Sequence, residues 1–231
     1  MSAGSLRVHG NATSLMDAHF EFNEGMEPRV NYTIRDGRGE LRVDQPGRPK
    51  SFAITRNRWD VRLNDTIPLD LEIENAAGEA EIDASSLALT SFELEQSAGQ
   101  ADIRLNGNQP QLTHVDLDAA AGRIDLEMRG VYPAMRDLRV EASAGQVQLD
   151  LTGEWRSDVD IKVEVVAGEA VIRLPKTVNI VARANTTIGR VRARGLVQNG
   201  DHYRLDVSGA AGTLRLKVEA NVGQVVLEVV D

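Results

Sequence analysis

Apolar and polar residues alternate along most of the chain, and one short phrase interrupts the alternation at regular intervals. In EASAGQVQLD (141–150) an acid is followed by small residues, a glycine, and then Val147 and Leu149 with polar residues between them. The phrase returns as ENAAGEAEID (74–83), EQSAGQADIR (95–104), DAAAGRIDLE (118–127) and EVVAGEAVIR (164–173). Looser copies are NTTIGRVRAR (185–194) and SGAAGTLRLK (208–217). Aligned on Gly78, Gly99, Gly122, Gly145, Gly168, Gly189, Gly212 and Gly223, the steps are 21, 23, 23, 23, 21, 23 and 11 residues. Self-similarity at such a period predicts a solenoid or array.

Two, four and six residues after the glycine the positions are apolar, as in Val147, Leu149 and Leu151. Seven and five residues before it stand pairs such as Phe92 and Leu94 or Leu138 and Val140. This period of two marks half-buried strands. Each unit therefore reads as strand, corner, strand and polar connection, the last exemplified by NGNQPQ (106–111). Glycine with alanine neighbours suits a corner where the backbone turns and side chains must stay small. No segment of the repeats carries a helical stripe, so the class is all-β. Units of about 22 residues fit one coil of a β-helix each, with strands stacked in parallel about 4.8 Å apart. The alternative is an antiparallel meander or sandwich with each Ala-Gly as a hairpin turn. Hairpin turns prefer Asn-Gly or Asp-Gly, so the packed corner fits better.

The expected organisation is a single domain with two sections. Residues 1–58 form irregular N-terminal coils with insertions, and residues 59–231 form the regular repeats. AGSLRV (3–8) matches AGTLRL (211–216) but has no strand before it, so the first coil reads as truncated, as in a piece excised from a longer chain. GRGELRV (37–43) reads as the next glycine phrase after an insertion. The last step of 11 reads as a shortened, charged cap on an open edge.

The run NRWDVRLNDTIPLDLEIENAAGEAEIDASSLALTSFELEQSAGQADIRL (57–105) resembles the toast-rack domain of LiaF-like proteins, also called cell-wall-active antibiotic response proteins or adhesins. Trp59 in a WxVxLN phrase, Pro68 before the first regular strand, and the serial (A/G)AG(E/D) units carry the resemblance. The opening LMDAHFEFNEGMEPRVNYTIRDGRGELRVDQ (15–45) is also similar to that family's start. The resemblance implies a right-handed β-helix-like domain that follows transmembrane helices and serves envelope-stress sensing through two-component kinases. It supplies no catalytic residues. The expected function is a non-enzymatic interaction and sensing domain of a membrane-anchored bacterial envelope protein, on a side of the membrane left open. The alternative is an adhesive or self-assembling β-solenoid, and a carbohydrate-active β-helix enzyme comes third.

Composition narrows the picture. Aromatic residues make up only 4% of the chain, so a narrow interior must be filled by Val, Ile, Leu and Ala. Without cysteine, disulfides and thiolate metal sites are excluded. No apolar run reaches the roughly 20 residues of a membrane span. The net charge of −9 argues against nucleic acid as a partner. His9, His19, His114 and His202 lie far apart and match no metal-site spacing. There is no nucleophile elbow, Walker loop or dinucleotide fingerprint, and no cofactor is expected. Trp59 and Trp155 read as packing residues, while Tyr132 and Pro133 fall in a connection where they could decorate a binding edge.

Charge supplies the candidate sites. Four residues before the glycines stand Glu74, Glu95, Asp118, Glu141 and Glu164, then Asn185 and Ser208. Stacked in register, five carboxylates would form a row one strand spacing apart. Like charges so close repel and call for basic neighbours, raised pKa values or a hard cation such as calcium. A solvated face screened by salt is the plainer reading. Along the chain, residues 70–127 carry a net charge of −11 and residues 171–217 a net charge of +7. A solenoid maps sequence onto its axis, so a basic end containing Arg183, Arg190, Arg192 and Arg194 is expected. It would meet a protein partner, lipid headgroups or a cell-wall polymer, or the acidic end of a second copy in head-to-tail self-association. GRVRARG (189–195) lacks the interleaved aromatics of a nucleic-acid platform.

Overall fold

The computed structural model describes residues 3–46 and 56–230 and contains only strands, turns and connections among them. In chain order the strands are β1 (Gly4–His9), β2 (Met16–Glu21), β3 (Arg29–Arg35), β4 (Arg38–Asp44), β5 (Arg58–Leu63), β6 (Leu69–Asp83), β7 (Leu89–Arg104) and β8 (His114–Glu127). There follow β9 (Val131–Tyr132), β10 (Asp137–Asp150), β11 (Glu154–Trp155), β12 (Val159–Pro175), β13 (Asn179–Arg194), β14 (Val197–Asn199), β15 (His202–Leu205) and β16 (Thr213–Val230). The large sheet has the order β14-β15-β13-β16-β12-β10-β8-β7-β6-β1-β5-β2. Every pairing from β5 to β13 is parallel, and only β2, β15 and β14 run antiparallel to their neighbours.

Each long strand runs straight through its repeat glycine, which divides it into a first arm before the corner and a second arm after it. Gly122, Gly145 and Gly168 lie directly across from one another. Gly145 has φ +135°, and a methyl group there would lie 1.8 Å from the Gly122 carbonyl oxygen. Glycine is thus required both by the turn and by the backbone stacked beneath it. The parallel register separates the two expected folds: this is a β-helix-like solenoid and not a meander.

A third stack closes the coil. The connections carry β9 and β11, which pair in parallel, and Glu154 N–H donates to the Gly130 carbonyl at 2.8 Å. Inward residues of both arms, among them Leu138, Val140, Val147 and Leu149, are fully buried in the core. Trp155 stacks on Tyr132 with centroids 4.7 Å apart, and its indole donates to the Leu151 carbonyl at 2.8 Å. The Tyr132 hydroxyl donates to the Leu105 carbonyl and accepts from Gly130 N–H. Tyr132 is therefore a core residue and decorates no edge. Trp59 is buried beneath Phe20 in an edge-on contact.

The two ends depart from the expected repeat. The corner after Gly189 is Gly223, which lies across from both Gly168 and Gly189, while Gly212 precedes β16 and forms no corner. The C-terminal unit is a full strand of 18 residues inserted between β12 and β13. It is not a shortened cap. Its inward Val218, Val225 and Leu227 are fully buried, and the apolar Val226 stands outward. An apolar strand gains from neighbours on both sides, whereas an arginine-rich strand such as β13 tolerates the edge. At the other end, GRGELRV belongs to the β3–β4 hairpin and not to a coil. Asp36 and Gly37 have φ +51° and +77°, the two left-handed positions of a tight hairpin turn. Residues 47–55 of the expected N-terminal section lie outside the described residues.

Candidate functional site

The carboxylate row exists, one member longer than expected. Glu74, Glu95, Asp118, Glu141 and Glu164 lie in one column, and the inserted β16 adds Glu219 where the sequence alignment had Ser208. Two residues earlier runs a second outward column: Glu72, Glu93 and Asp116, then Arg139, Lys162 and Lys217. The second column changes sign at β10, and this divides the row in two. From β10 onward the acids are paired: Arg139 to Glu141 at 2.6 Å, Lys162 to Glu164 at 2.9 Å, and Lys217 to Glu219 at 3.2 Å. The hydrogen bond from Arg139 holds the Glu141 carboxyl below the usual range. In β7 and β8 carboxylates neighbour carboxylates. Burial, then the charges of Glu72 and Asp116, push Glu93 up, and burial, then Asp116 and Glu141, push Asp118 up. Among the described residues no group of three or more His, Asp or Glu side chains is arranged to hold a metal ion.

At the basic end the structure gathers three of the four expected arginines. Arg190, Arg192 and Arg194 are exposed on the outer face of the second arm of β13, with the half-buried Val191 and Ala193 turned inward. Arg183 stands on the first arm, across the corner, where Asp201 of the neighbouring turn accepts its hydrogen bond at 2.7 Å. Arg194 reaches Glu228 of β16 at 3.3 Å. Arg190 and Arg192 have no ion pair among the described residues. Beyond β13, β15 pairs only with Ile180–Arg183. The outer backbone edge of the second arm therefore has no strand partner among the described residues.

Sequence reasoning missed the apolar component of this end. The position before each corner glycine is Ala77, Ala98, Ala121, Ala144 and Ala167, but it becomes Val222 and then Ile188 at the basic end. Ile188 is 66% exposed and Val222 49%. The enlargement was visible in the sequence once the Gly212 alignment was replaced by Gly223.

The opposite end of the second-arm wall is β2, laid antiparallel on β5. Met16 and Phe20 pack partly against the core, while Asp17, His19 and Glu21 occupy the other face. Hydrogen bonds from Ser14 and Thr13 hold the Asp17 carboxyl below its usual range, so it stays charged near neutral pH. Phe22, just past the strand, is exposed. A shallow groove over the first-arm outer face lies between these ends. Two of its carboxylates are partnered: Arg215 reaches Asp160 at 2.6 Å, and His114 lies 3.6 Å from Asp137.

Residues 1–127, which span β1 to β8 with the first three complete corners, match the family model described as the N-terminal domain of toast_rack, DUF2154. The chain belongs to the toast-rack family. The resemblance read from Trp59, Pro68 and the serial Ala-Gly units is thereby borne out. The fold is also that of the crystal structure of "a putative cell adhesion protein" from Clostridium sporogenes. That match has 23% identity and a TM-score of 0.50, and covers 99% of this chain and 89% of the other. No curated protein matches the chain. Within the toast-rack domain, no helix among the described residues is long and apolar enough to cross a membrane.

Proposed function

We propose that this toast-rack domain is a non-enzymatic interaction and sensing module of a membrane-anchored bacterial envelope protein, and that its basic end is the contact surface. The observation that carries the reading is the edge of β13: an arm that, among the described residues, has no strand partner and bears Arg190 and Arg192 without ion pairs, beside exposed Ile188 and Val222. Charges at the rim of a contact steer the encounter and set its salt dependence, while exposed aliphatic groups supply area to desolvate. Membership of the family supports a role outside catalysis, and the family's association with envelope-stress kinases supports sensing.

The test is binding of the purified domain to envelope fractions and to anionic phospholipid vesicles, with and without Arg190→Glu/Arg192→Glu. This pair leaves the Arg194–Glu228 contact intact. Binding that weakens with salt and drops at least tenfold in the variant is expected. Unchanged binding to every fraction, in a variant with the parent far-ultraviolet spectrum, would remove the basic end from the proposal.

A further inference from the structure

We infer that the β13 edge takes strand β2 of a second copy of the same chain, so that domains join head to tail into a continuous solenoid. This rests on the reading of β13 as the contact surface and names its partner. Both strands terminate the same wall. The second arms run from β13 through β16, β12, β10, β8, β7 and β6 to β1, β5 and β2. A copy translated along the axis therefore brings its β2 against β13. Because β2 runs opposite to every other strand of this wall, the new pair is antiparallel, and residues directly across from one another share a face.

The register follows from the columns already present. Glu21 lies across from Arg58, Arg58 from Ser5, and Ser5 from Glu79. That is the column of the residue after each corner glycine, and it ends at Arg190. By the same path His19 falls in the column of Arg192, and Asp17 in that of Arg194. Stacking in register thus sets Glu21 opposite Arg190 and Asp17 opposite Arg194. Each acid would stand between two arginines, Glu21 between Arg58 and Arg190, and Asp17 between Arg62 and Arg194. Opposite charges directly across an antiparallel pair lie about 5 Å apart at Cβ and attract. Inward, Phe20 and Ala18 would meet Val191 and Ala193. Phe22 would fall beside the corner at Gly189, next to Ile188. Two exposed apolar side chains would thereby be covered together.

The ends are also stepped in a complementary way. At the β2 end the second-arm wall extends three strands beyond β6, while the first arm of β6 has no outer strand among the described residues. At the basic end the first-arm wall extends beyond β13 by β15 and β14, while the second arm stops at β13. Counted in strands, the first-arm wall projects by two at one end, about 10 Å, and the second-arm wall by three at the other, about 14 Å. The contact uses different surfaces on the two copies, so it does not close on itself at a dimer.

The experiment measures mass against concentration by sedimentation and light scattering for the full chain. Glu21→Arg, Arg190→Glu and the two combined are measured alongside, with far-ultraviolet spectra confirming the fold. Growth beyond a dimer is expected for the parent chain. Each single reversal should weaken association at least tenfold, and the combined variant, which restores an opposite-charge pair at every junction, should recover it. An equimolar mixture of the two single variants should recover it as well. A parent chain monomeric at all concentrations, a mass that stops at the dimer, or no recovery in the combined variant would overturn the inference. If Arg190→Glu abolishes envelope binding while Glu21→Arg changes neither mass nor binding, self-association falls and the proposed function stands.

Discussion

Gly145 shows how much of the coil depends on a missing methyl group. Its φ of +135° and the Gly122 carbonyl 1.8 Å from where a Cβ would stand leave no relaxation that spares the backbone. Gly200 differs: it has φ +64° but nothing within 4 Å of its would-be Cβ. Gly145→Ala should therefore cost roughly 3 kcal/mol or more, combining an unfavourable dihedral with displacement of the next coil. Gly200→Ala should cost only about 1–2 kcal/mol, the dihedral alone. Urea denaturation of the two variants checks this, and equal losses would mean that stacking contributes nothing at the corner. Sequence pattern located Gly145 correctly because the requirement is local and recurs. It misplaced Gly212 because an Ala-Gly pair followed by alternating residues looks the same whether or not another coil lies beneath it.

Among the strands, β7 and β8 carry charges that oppose folding, and β10 and β12 carry charges that support it. Glu93 on β7 has a folded-state pKa raised by burial and by neighbouring acids, so the folded chain binds its proton more tightly than the unfolded chain. Its contribution therefore worsens as pH rises from the ordinary carboxylate range through the raised value. Glu141 on β10 is lowered by its hydrogen bond from Arg139. That stabilisation is present above the ordinary range and disappears as pH falls through the folded value. Glu93→Gln should raise the denaturation midpoint at neutral pH, with the gain shrinking as pH falls toward 4. A gain that is constant with pH would attribute the effect to packing and not to charge. The acidic row itself was legible, since equal spacing from each glycine becomes a column once coils stack. The reversal of sign beside it was not singled out, because Arg139, Lys162 and Lys217 acquire meaning only next to Glu93 and Asp116 in the same column.

At the scale of the molecule, the insertion of β16 makes the last segment of the chain an interior part of the wall. Deleting residues 213–231 should remove the support of β13 on one side and expose the buried flank of β12. Amide exchange at Val181, Arg183 and Asn185, whose N–H groups face β16, should then lose its protection, with the change extending into β12. A true end cap would leave β13 protected after the same truncation, and that result would contradict the topology. The arrangement also explains why the charge polarity survives the reordering. Moving β16 inward leaves Arg190, Arg192 and Arg194 on the outermost second arm.

Sequence alone determined the strands, the corners, the coil length and the outward columns of the central repeats. All of these follow from side-chain alternation and from the backbone freedom of glycine, which act over a few residues. It also placed three arginines on one strand face. Tertiary structure decided which strands lie side by side where the repeat is irregular: β16 between β12 and β13, β2 reversed upon β5, and the β3–β4 hairpin outside the main sheet. Those choices depend on how much apolar surface each strand covers on both flanks, a quantity that belongs to pairs of strands and is absent from any one segment. The edges at β2 and β13, unpaired among the described residues, arise from the same choices, since an edge is defined only by the neighbour that a strand lacks.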